Sequence, residues 1–509
     1  MLRPLLLAVL VLFLVGLAIP SLTAPRSASA VGSATGVYFG TYGGSENASK
    51  AGRIAGVGVK AVRMYVEWEQ LENVPDLHGT SSMVWTQKLA EYDQRLVDLK
   101  ASGLTPIVFI SSAPTWAASR PRGPLFTSKV TSYVEFVSNL VRRWSVPTFN
   151  VKHWELWGEP DFGNTAVNPA YAGREAWGDD PVKFAEMLRA TYPAIKAIDP
   201  GATVIMGSLA FDNFRTSDGP GFNTGGSFVY RFLDNVLINS GGEYFDWLAF
   251  NAYSVFSTGW ERDNPSAGFD IVAKAAHIRS VMANRGVSKP LVILEGGMWS
   301  CCGASGPGTH YYVKADNSTG TYIPGENEQA AYLVQLYARG LAADLKGIFW
   351  YLIDDYEAPS SLTDPDGHRG WWRTTGVEKP AADAMRRMTS KLSGATYAGV
   401  PSEVATVSGR IEARAFTKAD GSRMVVAWSV YGPSETATIR VTGSAVAITD
   451  ALGQSVAISS VGSGVVQATI GFTPIYIEGA TAPTPTPTFP PVTFTSRLRA
   501  PLAPRFSGA

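Results

Sequence analysis

The chain has 509 residues, 45% of them hydrophobic and 11% aromatic, enough for more than one domain and a sizeable core. Lys+Arg and Asp+Glu are both 43, a formal net charge of +0, so nothing in the charge balance points to nucleic acid or an anionic membrane surface as partner. The five histidines (His78, His153, His277, His310, His368) are scattered and the two cysteines are adjacent, so no metal or cofactor is expected.

At the N-terminus Arg3, an apolar run over 5–19 and Ala28-Ser29-Ala30 form the pattern of an export signal, with a retained membrane anchor as the alternative. The run is short for a bilayer span, which takes about 20 residues. Residues 1–30 are therefore set apart, and the chain is expected in the secreted or cell-envelope space, touching membrane only if this segment is kept.

From 31 to 391, short apolar runs alternate with helical spacing. Strands are predicted over 35–40, 59–66, 104–110, 151–157, 203–207, 247–252, 291–295 and 347–352. Most are rich in Val, Ile and Phe without clean alternation, as strands buried on both faces are. Between them, Leu89, Tyr92, Leu96 and Leu99 keep helical spacing. So do Phe136, Leu140 and Val141, then Phe184, Met187, Leu188 and Ile195 after Asp180-Pro181, a helix start. Phe228, Phe232 and Leu233 mark another helix, and Tyr332, Leu336 and Tyr337 one more. The pattern predicts an α/β fold, a (β/α)8 TIM barrel. A doubly wound open sheet fits less well, because no Gly-rich phosphate loop follows the first strand.

After 391 the style changes to short alternating runs over 404–407, 411–416, 423–429, 436–441, 445–448, 456–458, 465–470 and 475–477. Gly, Ser, Asp and Pro punctuate them, which predicts a small antiparallel β-sandwich over 392–479 that borrows a strand from near the start of the barrel. Residues 480–509 open with a Pro/Thr-rich stretch and read as a disordered tail. Cys301 and Cys302 are neighbours. Their Cα atoms would stand about 3.8 Å apart, below the usual disulfide range, so a strained bond and two free thiols are both open.

Barrel chemistry gathers at the C-terminal ends of the strands. There strand four runs into Trp154-Glu155-Leu156-Trp157-Gly158-Glu159-Pro160, and strand seven closes on Glu295. Strand two carries Arg63, strand six ends in Phe250-Asn251-Ala252-Tyr253, and strand eight contains Trp350 before Asp354 and Asp355. A glycosidic oxygen needs a proton in order to leave, and the positive charge at the sugar carbon needs a carboxylate. Glu295, beside Arg63 and the Tyr253 hydroxyl, is expected to stay ionised and act as nucleophile. Glu159, desolvated among Trp154 and Trp157, is expected to carry the acid proton. Trp116, Trp157, Trp299 and Trp350 are candidate substrate-binding walls, since flat rings stack on sugar faces. Glu155 reads as a barrel-interior ion-pair residue. Asp354 and Asp355 read either as ligands of sugar hydroxyls or as a solvated loop. Neither a Gly-x-Ser-x-Gly elbow nor a His-Glu-x-x-His motif occurs, which argues against an esterase or peptidase.

Residues 34–390 resemble the clan A retaining glycoside hydrolases, especially those like families 39 and 5. The resemblance rests on the Trp154–Pro160 heptad, on Glu295, and on Arg63, Tyr253 and Trp350. Gly376-Val377-Glu378-Lys379-Pro380-Ala381 is similar to the segment leading into the clan's last helix. The sandwich is similar to the clan's accessory β-domain in its Thr449-Asp450-Ala451-Leu452-Gly453 and Pro474-Ile475-Tyr476-Ile477-Glu478. The resemblance implies Glu159 as acid/base, Glu295 as nucleophile, net retention of anomeric configuration and a carbohydrate substrate. Two positions depart from the clan. Gly158 stands where an asparagine usually binds the sugar 2-hydroxyl, and Asn251 where many relatives carry histidine. Three readings of the missing contact stay open: another residue supplies it, with Asn251 as candidate, or the substrate differs at that carbon, or activity is weak. Gly158 also motivates the alternative reading, a carbohydrate-binding protein of the cell envelope without turnover.

Overall fold

The computed structural model describes residues 32–75, 77, 83–120, 122–163, 176–178, 180–210, 229, 231–253, 271–300, 312–313, 319–320, 325–356, 365–405, 411–429, 434–441, 447–462 and 464–479. The N-terminal segment 1–30, the tail 480–509, Phe228, Cys301 and Cys302 lie outside the described residues.

Eight parallel strands close a barrel: β1 (Phe39–Tyr42), β2 (Ala61–Glu67), β3 (Thr105–Ser111), β4 (His153–Leu156), β5 (Thr203–Leu209), β6 (Trp247–Ala252), β7 (Leu291–Gly296) and β8 (Leu345–Trp350). Each pairs with its neighbour in sequence, and β1 closes onto β8. Several limits differ from the sequence expectation, and two of the differences have a local cause. The first strand starts at Phe39 rather than at 35, after a turn in which Gly36 has φ 59. The fourth stops at Leu156 rather than at Trp157, because Trp157 takes φ 69, a left-handed conformation that a strand cannot continue.

Alternate residues of a strand share a face. Ala61, Ile107, Ile205, Ala249, Val292 and Phe349 therefore pack with Val37 into an apolar floor that fills the lower barrel. One step further along their strands, Arg63 follows Ala61, Phe109 follows Ile107 and Asn251 follows Ala249. Phe109 apart, the interior so turns polar toward the C-terminal ends. Helices cover the outside with the faces their spacing marked: Leu89, Tyr92, Leu96, Leu99, Phe136, Leu140, Phe184, Leu188, Leu336 and Tyr337 are all buried. Asp180 caps the helix Pro181–Ile198 by accepting the Lys183 N–H at 3.1 Å, with Pro181 in its first turn.

The C-terminal part forms a five-stranded and a four-stranded antiparallel sheet. The strand Arg423–Ser429 shows how one sequence serves two cores. Val425 and Ala427 face the sandwich interior, with Ala415, Ile439 and Ile477. Met424, Val426 and Trp428 face the other way and join the core cluster that also holds the barrel helices. Arg339 on the helix Glu326–Ala342 adds an ion pair to Glu412, and Gln335 donates to the Phe472 carbonyl at 2.8 Å. The expected strand from the barrel's start is a short bridge, Ser33 to Thr396, extended by Ala34 N–H to Ala395 and Tyr397 N–H to Gly32, each 2.8 Å.

Candidate active site

Arg63 on β2 is 1% exposed and organises the mouth of the barrel. Its Nε and Nη2 donate to Glu155 Oε2 and Oε1 at 2.6 and 2.7 Å, a two-pronged pair, and its Nη1 donates to Glu295. The ring of Phe109 lies 3.8 Å from the guanidinium. Burial works against the charge on Arg63, but Glu155 and Glu295 more than offset it and hold the guanidinium firmly protonated. Glu155 is fully buried and also accepts from Ser208 Oγ at 3.2 Å, so it is the interior ion-pair residue the sequence suggested.

Glu295 lies near the end of β7. It accepts from Arg63, from the Tyr253 hydroxyl at 3.0 Å and from the Asn251 amide at 3.4 Å. Burial pushes its carboxyl above the usual carboxylate range; Arg63 opposes that, and the charge of Glu159 adds to the rise. Burial also raises the Tyr253 hydroxyl, which keeps it a neutral donor.

Glu159 is presented by a contorted turn. Trp157 and Glu159 take φ 69 and 44 on either side of Gly158. Such conformations cost about 1–3 kcal/mol each and persist where neighbours over-determine them. Here Trp157 N–H donates to Ile110 and Glu159 N–H to Ser208, each 2.9 Å, so strands β3 and β5 hold the turn from both sides. The turn sends Trp157 outward and Glu159 into the mouth. This corrects the expectation that Trp154 and Trp157 surround the acid. Trp154 stacks on Trp144, and Trp157 packs against Tyr133 and Trp177 with its indole donating to the Arg122 carbonyl at 3.0 Å. Trp157 is fully buried in that layer and is not brought into the cleft. The Glu159 carboxyl instead accepts from Arg122 Nη2 at 3.1 Å and from Asn251 Nδ2 at 3.0 Å.

Gly158 has a steric reason. A Cβ there would lie 2.6 Å from the Phe109 ring and 3.3 Å from Arg63 Nη2. The place that an asparagine would need is filled by an aromatic side chain from the neighbouring strand.

Of the remaining candidates, Trp116 is half-buried, edge-on to Trp68, with its indole donating to the Glu72 carbonyl at 3.0 Å. Trp299 is 6% exposed, with the Arg369 guanidinium 5.7 Å from its ring. Trp350 is fully buried and donates to the Arg369 carbonyl at 2.9 Å. Asp354 pairs with Lys50 and Arg53, and buried Asp355 pairs with Lys379 at 2.6 Å, so neither stands in a free, solvated loop. The structure thus gathers Arg63, Glu159, Asn251, Tyr253 and Glu295.

Sequence reasoning missed several residues. Phe109 looks like any residue of an apolar strand. Arg122 and Arg369 come from loops without a pattern. Asp161 follows Glu159 closely and is 1% exposed; both its oxygens accept the Ala210 N–H, at 3.0 and 3.2 Å. Burial raises it to about 7, against the pull of Ala210 and with the charge of Glu159 adding to the rise. Among the described residues no three His, Cys, Asp or Glu side chains gather as a metal site.

No protein-family profile and no curated protein matches the sequence. Solved structures do. The chain is similar to a family 39 glycoside hydrolase from the gut symbiont Bacteroides cellulosilyticus, with TM-score 0.63 and 18% identity over 87% of this chain and 81% of that one. It is similar to a family 30 endoxylanase from Clostridium papyrosolvens, with TM-score 0.56 and 14% identity over 89% and 98%. A family 39 β-xylosidase from Caulobacter crescentus gives TM-score 0.53 and 16% identity over 89% and 98%. At these identities the likeness is one of fold: a closed parallel barrel followed by antiparallel sheets.

Proposed function

We propose that the chain is a retaining glycoside hydrolase that cleaves β-glycosidic bonds in an oligo- or polysaccharide by double displacement. One observation carries this reading. A single nitrogen, Asn251 Nδ2, lies 3.0 Å from Glu159 Oε1 and 3.4 Å from Glu295 Oε2, so these two oxygens are no further apart than the sum, 6.4 Å. Retaining enzymes hold their carboxyls about 5–5.5 Å apart, and inverting ones begin at about 6.5 Å, where a water fits between.

In the first step a Glu295 oxygen bonds to the anomeric carbon as the glycosidic bond breaks, and Glu159 passes its proton to the departing oxygen. In the second, Glu159 takes a proton from water, whose oxygen displaces Glu295 and restores the first configuration. Arg63 and Tyr253 both donate to Glu295 and favour its charged form, the form that attacks the anomeric carbon. The similar endoxylanase and β-xylosidase put xylo-oligosaccharides and aryl β-xylosides first in the substrate panel. The export-signal pattern of residues 1–30 supports action outside the cytoplasm, and the N-terminal residue of the mature protein tests it.

Hydrolysis of an activated aryl glycoside tests the activity. Glu159→Gln and Glu295→Gln are each expected to abolish it, and full activity in either would sink the assignment. Proton NMR of the first-formed sugar should show the β-anomer; the α-anomer would mean inversion. Glycan binding without turnover across the panel would leave the alternative, a binding protein.

A further inference from the structure

Asn251 is fully buried on β6, and its amide nitrogen donates to both glutamates, at 3.0 Å to Glu159 and 3.4 Å to Glu295. The charge on Glu295 sets this orientation, because the reversed amide would turn its carbonyl against that carboxylate. The other end of the amide, Oδ1, is buried and accepts no hydrogen bond from the described residues. Buried acceptors are nearly always satisfied, so an orphaned one asks for an explanation in function. The main chain is pinned as well: the Asn251 carbonyl accepts from Lys274 Nζ at 2.7 Å, and Lys274 is itself 8% exposed. At position 158 no side chain reaches in, because Phe109 fills the space beside Gly158.

We propose that Asn251 is a positioning residue for the two glutamates, acting as a clamp whose one amide follows the charge between them. The proposal rests on the glycosidase reading and gives that site its missing part. During double displacement the negative charge moves. Glu295 carries it at the start; when its oxygen bonds to carbon the charge is gone from Glu295 and has appeared on Glu159, which has lost its proton. The pair keeps the same total charge throughout. An amide with one N–H on each carboxyl can strengthen whichever bond faces the anion without moving, so no reorganisation accompanies the chemical step.

The test uses the full chain, an aryl glycoside and three proteins. Asn251→Ala should lower kcat by about 100- to 1000-fold, the loss typical of one preorganised donor, with KM changed by less than about threefold. Asn251→Asp keeps the shape but sets a third carboxyl beside Glu159 and Glu295, with Arg63, Tyr253 and Lys274 as the other ionisable neighbours. It should be worse than the alanine variant at neutral pH. It should overtake that variant as pH falls, because a protonated Asp donates again. A merely structural role would not produce that crossing. Alanine-variant activity within about threefold of wild type, or two variants that stay parallel at every pH, would overturn the proposal. A wild-type chain inert on every glycoside removes the glycosidase reading and this proposal with it. An active wild type beside an indifferent alanine variant removes this proposal alone.

Discussion

The lower and upper halves of the barrel interior are built by the same strands and obey opposite rules. The floor, Ala61, Ile107, Ile205, Ala249 and Val292, is apolar and closed, and its stability comes from packing. The crown above it replaces those residues with Arg63, Glu155, Asn251 and Glu295, where each charge must be answered by a partner. A buried ion pair seldom adds stability over a packed apolar pair, because desolvation consumes the attraction. A crown of charges is therefore a cost that the floor and the outer helices carry, and it marks where the molecule works.

That contrast can be broken at graded points. The largest effect belongs to the crown's chemistry: Glu295→Gln should reduce kcat by at least about 10,000-fold while leaving the melting temperature near wild type or above it. Parallel activity and melting curves would show this. Next comes Arg63→Met, which leaves Glu155 and Glu295 buried without their cation. A loss of about 3–5 kcal/mol in chemical denaturation is expected, together with loss of activity.

Asp161 gives a pH-dependent effect. Its folded carboxyl, raised to about 7 by burial, holds its proton where the unfolded one has released it. The folded state therefore binds more protons between about pH 4 and 7, and stability falls as pH rises through that window. Asp161→Asn removes the titration. Wild type should lose about 2–4 kcal/mol relative to this variant between pH 4 and pH 8, read from urea midpoints at the two pH values. The smallest effect belongs to the floor: Ile205→Val should cost about 0.5–1.5 kcal/mol and leave kcat unchanged. A change of kcat at Ile205 comparable to its change in stability would dissolve the distinction between floor and crown.

The eight strands, the helical faces and the change to short alternating runs after 391 were legible in the sequence, because periodicity and turn residues act locally. Glu155 was also legible as an ion-pair residue, from its place in the middle of an apolar run. The surroundings of Glu159 were not. Its neighbours in sequence, Trp154 and Trp157, point away from it, because φ values of 69 and 44 turn the chain over between Trp157 and Glu159. Nor did the sequence distinguish Trp157, buried against Tyr133 and Trp177, from a ring lining the cleft.

Gly158 divides the two kinds of knowledge most clearly. In the sequence it is a departure from the expected asparagine, and it raises a doubt about function. In the folded chain it is the space that Phe109 occupies, two strand positions above Ile107, and the amide that serves both glutamates arrives from Asn251 on β6, two strands away. Which residue types stand at strand ends is written along one chain and can be read there. Which of them share a hydrogen bond depends on strands 92 and 44 residues apart meeting in a closed barrel, and only the closing of the barrel decides it.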